Sequence, residues 1–202
     1  MRVTSKNRKS KETDITIKLN IDGTGESKIN CGIGFLDHML ELFAFWGHFD
    51  LEITTNEADL KVDIHHTNED LGIVLGQAFK EALGDKVGIN RIGSMSVPME
   101  DVTATVTVDI SGRGFFNGIK FDVSNDLVTQ KDEKYSFEYA NHLFESFAKT
   151  LGMNLVINIS KLTPDLHTNL EPVFKGLGIA LDQATQIDPR RKGVPSTKGV
   201  ID

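Results

Sequence analysis

The chain contains its own repeat. His65 and Glu69, spaced so that both lie on one side of a helix, return as His167 and Glu171. Matching apolar positions follow each pair: Leu75 with Leu177, Gly76 with Gly178, Ala78 with Ala180. Earlier in each half, Phe35, Leu36, Asp37 and His38 line up with Tyr139, Ala140, Asn141 and His142, and Phe43-Ala44 with Phe147-Ala148. Asp14-Ile15-Thr16-Ile17 lines up with Asp101-Val102-Thr103-Ala104, Asp22 with Asp109, and Thr24-Gly25 with Ser111-Gly112. The offset drifts between segments, as loops of unequal length require. A unit this small cannot bury enough apolar surface by itself, so two such units must pack together.

Within each unit the hydrophobic period names the elements. Residues 14–22 alternate apolar and polar, the mark of a half-buried strand, and residues 26–31 form a second strand after the turn at Gly23-Thr24-Gly25. Residues 35–46 are apolar on most sides, which predicts a buried helix carrying His38 inward. Residues 49–55 and 60–64 read as a hairpin, and a long helix runs from near His65 to near Gly84. Residues 85–93 form a connector before the pattern restarts. The expected fold is α+β: duplicated strand-helix-hairpin-helix half-repeats related by a pseudo-twofold, with helices packed between two sheets. The expected divisions are residues 1–90, residues 91–186 and a C-terminal tail, residues 187–202, within one compact domain.

Charge and composition exclude several classes. With 202 residues, 39% hydrophobic, the chain can build a sizeable core, and its net charge of −7 argues against nucleic-acid binding. The basic first residues are followed by no apolar stretch, so no signal peptide is expected, and no apolar run approaches a membrane span. A single cysteine, Cys31, fits a reducing compartment, and a cytoplasmic protein is expected.

Five of the six histidines (His38, His65, His66, His142 and His167) fall in repeat-related positions next to Glu69 or Glu171, while His48 suits a surface role. Imidazole and carboxylate without thiolate suit Mn, Fe, Zn or similar ions, and the repeat suggests two sites. Adjacent residues on a helix diverge by about 100°, so His65 and His66 cannot easily grip one ion. Arg91 lies in the connector, Arg113 among glycines, and Pro195-Ser196-Thr197-Lys198-Gly199 offers two hydroxyls and an ammonium. Together these suit an anionic, phosphate-bearing substrate.

A family resemblance over nearly the whole length of the chain rests on Glu12-Thr13 with Ile15, Gly32 with Gly34-Phe35-Leu36-Asp37-His38-Met39-Leu40, and His65-His66-Thr67 with Glu69-Asp70 and Gly72-Ile73. Pro98-Met99, Ser111-Gly112-Arg113, His167 with Glu171 and Phe174-Lys175, and Pro195-Ser196-Thr197-Lys198-Gly199 continue it in order. The family the chain resembles is that of imidazoleglycerol-phosphate dehydratase. The resemblance implies dehydration of D-erythro-imidazoleglycerol phosphate to imidazole acetol phosphate in histidine biosynthesis, with two Mn²⁺ ions. It implies one ion on His38, His66, Glu69 and His167, and the other on His65, His142 and Glu171. Glu12, Glu69 and Glu171 are the implied catalytic carboxylates, Glu12 as the base; Arg91, Arg113, Ser196, Thr197 and Lys198 are the implied substrate contacts. A large homo-oligomer with sites between subunits is also implied.

The chain departs from the family pattern at several places. Thr168 stands where a second histidine is expected, which leaves the second ion three of its four protein ligands. Trp46 replaces a histidine, Ile64 an acidic residue and Ile92 a tyrosine, and Glu100-Asp101 reverses the usual order. Two other readings therefore accompany the first: a diverged paralogue with an impaired second metal site and no dehydratase activity, and a dinuclear metallohydrolase of a phosphate ester.

Overall fold

Each half of the chain runs strand, strand, strand, helix, strand, helix, and the computed structural model describes residues 1–121 and 135–201. The first half holds β1 (Val3–Lys9), β2 (Asp14–Asn20), β3 (Ser27–Asn30), α1 (Gly34–Trp46), β4 (Asp50–Glu57) and α2 (His65–Leu83). The second holds β5 (Ile92–Met99), β6 (Val102–Asp109), β7 (Lys120–Phe121), α3 (Phe137–Leu151), β8 (Asn154–Ile159) and α4 (Leu166–Thr185). Among the described residues these make two four-stranded sheets with the same order, β1-β2-β4-β3 and β5-β6-β8-β7. The expected α+β fold with duplicated halves is present, and the helices lie between the sheets.

Strand alternation decides which face meets the helices. Ile15, Ile17 and Leu19 are buried on β2, and Val102, Ala104, Val106 and Val108 on β6, while the residues between them are more exposed. α2 covers β1 and β2, α4 covers β5, β6 and β8, and the helices pair across the halves, α2 with α3 and α1 with α4. Repeat-related glycines permit both helix pairings. A Cβ on Gly76 would stand 2.6 Å from the Thr150 Cβ on α3, and one on Gly178 would meet the Phe43 carbonyl on α1. Phe43, Phe49, Phe79 and Phe147 fill the centre with mostly edge-on contacts.

Several expectations are corrected here. β3 does not fold back on β2; it pairs parallel with β4, and β7 likewise with β8. Parallel neighbours need a crossover, which α1 and α3 supply. Residues 60–64 form a turn rather than the second strand of a hairpin, with Val62 bonding back to Asp59 and lying 71% exposed. The basic N-terminal arm is a strand, β1, and the connector runs directly into another, β5. The matched positions of the second strands shift by two residues. β1 sets Val3 opposite Asn20 and β5 sets Ile92 opposite Asp109, so Asp109 corresponds to Asn20, not Asp22. A slip of two preserves the alternation of faces, which is why only pairing reveals it.

Candidate metal centre

The ligand-bearing residues stand at helix beginnings because each His-x-x-x-Glu pair occupies the first two turns of α2 or α4. α4 starts at an Asp165 cap, whose carboxylate accepts the amides of His167 and Thr168, each at 3.1 Å. α2 lacks such a cap, but Asp63 accepts the His65 amide at 2.6 Å.

Two groups of repeat-related residues result, and among the described residues only the first draws its donor atoms together within reach of one ion. In one, His167 Nε2 lies 2.8 Å and His38 Nε2 3.8 Å from Glu171 Oε2, and the donor atoms all fall within 4.8 Å of one another. In the other, Nδ1 of His142 and Nδ1 of His65 are 3.0 Å apart, and His65 Nε2 is 3.9 Å from Glu69 Oε2. His38 corresponds to His142, His167 to His65, and Glu171 to Glu69. The donor types and the spacing in the first cluster fit a transition-metal ion. His38 is not carried into the core as expected; its side chain is 43% exposed, turned towards His167 across the α1–α4 contact.

Burial pushes the Glu171 carboxyl upward, but hydrogen bonds from Lys175 (2.5 Å) and His167 outweigh it and hold it below its ordinary range. The Lys175 ammonium also lies 5.8 Å from the centroid of Trp46, so the tryptophan borders this cluster through Lys175.

His66 turns away from His65, with ring centroids 5.9 Å apart, and finds other partners. Its Nδ1 is 3.3 Å from Asp59 Oδ2 and 3.8 Å from Glu12 Oε1. The hydrogen bond to Asp59, then the Glu12 charge, raise its pKa. Sequence reasoning did not identify Asp59, because it lies in a turn read only as a hairpin loop. Within one chain, therefore, Glu171 joins His38 and His167, Glu69 joins His65 and His142, and His66 stands apart beside Glu12. The implied ligand sets exchange the two glutamates and add His66 to the pair His38 and His167.

Thr168 is accounted for as a cap. It is buried, and its hydroxyl donates to Asp165 at 2.6 Å, a bond that lowers the aspartate's pKa.

Of the residues expected to contact an anionic substrate, Arg91 and the Ser196 turn are brought together by the tail. Arg91 takes a left-handed backbone, φ 74°, which only glycine adopts freely. It is held there because its amide donates to Ala184 and its carbonyl accepts from Ile110. Its guanidinium grips Asp109 with two bonds, 2.6 and 3.0 Å, and donates to the Pro195 carbonyl at 2.9 Å. The tail is thereby anchored next to the Ser196 turn, where Ser196 accepts the Lys198 amide and Thr197 and Lys198 are exposed. Arg113 is exposed, just past the end of β6. Because Arg91 bonds to Ala184 near the end of α4 and His167 sits at its start, the two lie about 25 Å apart along the helix.

Comparison with known proteins identifies this arrangement. Residues 31–181 match the family model described as imidazoleglycerol-phosphate dehydratase. The chain is 48% identical over 194 residues to the imidazoleglycerol-phosphate dehydratase of Pelobacter propionicus, covering 96% of each chain. It is 45% identical over 201 residues to that of Methanocella arvoryzae, covering 100% of each. The crystal structure of the Pyrococcus furiosus protein superposes with a TM-score of 0.79 at 33% identity, covering 96% of this chain and 99% of that one. That of the Staphylococcus aureus protein gives 0.77 at 32%, covering 92% and 99%. The chain belongs to the imidazoleglycerol-phosphate dehydratase family of histidine-biosynthetic lyases.

Proposed function

We propose that this chain dehydrates D-erythro-imidazoleglycerol phosphate to imidazole acetol phosphate with two divalent ions, Mn²⁺ foremost. The observation that carries the reading is the cluster of His38, His167 and Glu171, with His65, His142 and Glu69 at the repeat-related positions. His38, His65, His66, Glu69, His142, His167 and Glu171 are the residues that would hold the ions. A bound divalent cation supplies a Lewis acid that stabilises charge developing on the substrate's imidazole ring. Glu12, beside His66, moves the proton at the ring carbon. Arg91 retains guanidinium donors not taken by Asp109 and Pro195 and, with Arg113, Ser196, Thr197 and Lys198, orients the phosphate.

A small substrate cannot bridge the separation of about 25 Å between Arg91 and His167 along α4. The reading therefore assembles each active site from more than one copy, as a large homo-oligomer, with one copy's phosphate grip meeting another's metal ligands. Such an assembly also lets His66 and Glu69 of one copy join His38 and His167 of another. The chain divides into half-repeats at residues 1–90 and 91–186, with 187–202 as a substrate-contacting tail, and works in the cytoplasm. None of the described helices is long and apolar enough to cross a membrane.

The test is to purify the protein with Mn²⁺, measure metal per subunit and particle mass, and assay imidazole acetol phosphate. Two ions per subunit, a large particle and turnover are expected. One ion without turnover favours the diverged paralogue, and release of inorganic phosphate favours the metallohydrolase.

A further inference from the structure

Asp70 follows Glu69 on α2, yet its carboxylate faces away from the ligand cluster and into a buried polar contact. Oδ2 accepts the Thr13 hydroxyl at 2.5 Å, and Oδ1 accepts Arg8 Nε at 2.8 Å. Arg8 lies on β1 and Thr13 just before β2, so one carboxylate clasps both sides of the turn between the strands. Ser10 closes the same turn: its amide donates to the Thr13 carbonyl at 2.8 Å, and its hydroxyl accepts the amides of Glu12 and Thr13, each at 3.0 Å. Glu12 projects from this closed turn towards His66.

The fold itself does not require the clasp. By the strand register and the helix match, the second half carries Val97 where the first has Arg8, Val102 for Thr13 and Pro172 for Asp70. That half builds the equivalent hairpin on the equivalent helix, α4, without any of these charges. Arg8 is partly exposed but Asp70 is buried, and holding that carboxylate there costs desolvation that the apolar residues of the other half avoid, so a polar clasp kept in one half only is poorly explained by stability. The hairpin that keeps it is the one that bears Glu12.

We propose that Asp70 is a positioning residue: through Thr13 and Arg8 it ties the start of α2 to the β1–β2 turn and so sets Glu12 against His66. The role in turnover rests on the assignment of Glu12 as the base; the mechanical role does not. The test uses Mn²⁺-loaded full-length Thr13→Val, Thr13→Ser and Asp70→Asn, with hydrogen exchange measured at residues 10–13. Thr13→Val should speed exchange there on the order of tenfold, since a buried bond is lost. It should lower kcat by about 10- to 100-fold, as a small misplacement of a catalytic group does, with KM and metal content little changed. Thr13→Ser should restore both readouts. In a Glu12→Gln background Thr13→Val should cost nothing more, because it acts through Glu12. Unchanged exchange in Thr13→Val overturns the proposal whatever the activity, as does a loss that adds in full to that of Glu12→Gln. Faster exchange in a protein whose wild type never turns over supports the clasp and overturns the dehydratase reading instead. Should Asp70→Asn fail to fold, the two Thr13 variants decide.

Discussion

The two halves of this chain carry the same three candidate ligand types at repeat-related positions and then use the residue after the helix histidine differently. After His65 comes His66, exposed enough to meet Asp59 and Glu12. After His167 comes Thr168, buried against its own helix cap. The clasp of Arg8, Thr13 and Asp70 in the first half has only Val97, Val102 and Pro172 opposite it in the second. The turn acid differs in the same way. Glu12 approaches a histidine, while its counterpart Asp101 is paired with Lys161 at the surface. A shared scaffold thus carries metal-type donors in both halves, while only the first sets its turn acid against a histidine and ties that turn to its helix.

The sharpest way to break this comparison is to neutralise the two turn acids in parallel. Glu12→Gln should lower kcat by about 10²- to 10⁴-fold, the range for loss of a general base, while Asp101→Asn leaves turnover intact. Equal effects would show that the halves are not divided as described. Next in size is Asp59→Asn, which removes the carboxylate orienting His66. Manganese affinity measured by titration should fall by about 10- to 100-fold, with no corresponding site in the second half.

Two further changes test where the halves remain alike. Gly76→Ala and Gly178→Ala each force a methyl group into the neighbouring helix. Both should cost about 1–3 kcal/mol in denaturant unfolding, and a loss in only one would show that the helix pairings are not equivalent. The smallest effect belongs to Thr168. Thr168→Val should cost about 0.5–1.5 kcal/mol through its lost bond to Asp165 and leave metal stoichiometry unchanged. Asp165 is held below its ordinary value of 3.8, chiefly by the Thr168 hydroxyl. Its ionised form therefore stabilises the folded chain above that value, and the contribution disappears as pH falls through the lowered folded value. Thr168→Val should flatten this acid limb of the stability curve. A lower manganese content in the variant would instead place Thr168 at the ion.

Residue order alone determined the duplication, the α+β class, the start of the long helix at His65 and the residue types that form the clusters. These follow from local rules: the period of apolar residues, the one-turn spacing of His and Glu, and the donor chemistry of imidazole and carboxylate. The divergence of His65 and His66 was legible for the same reason, since it is a property of one helix. The strands β1 and β5 were not, because β1 turns Thr4, Lys6 and Arg8 inward and β5 carries Gly93 inward and Ile92 outward, so neither shows a clean alternation and only pairing with β2 and β6 makes them strands. Nor could the order of residues say which glutamate joins which histidine, that Asp59 meets His66, or that Asp70 reaches Thr13. Those partnerships join residues distant in the chain, and they exist only once the helices cross at Gly76 and Gly178 and the hairpin closes over α2.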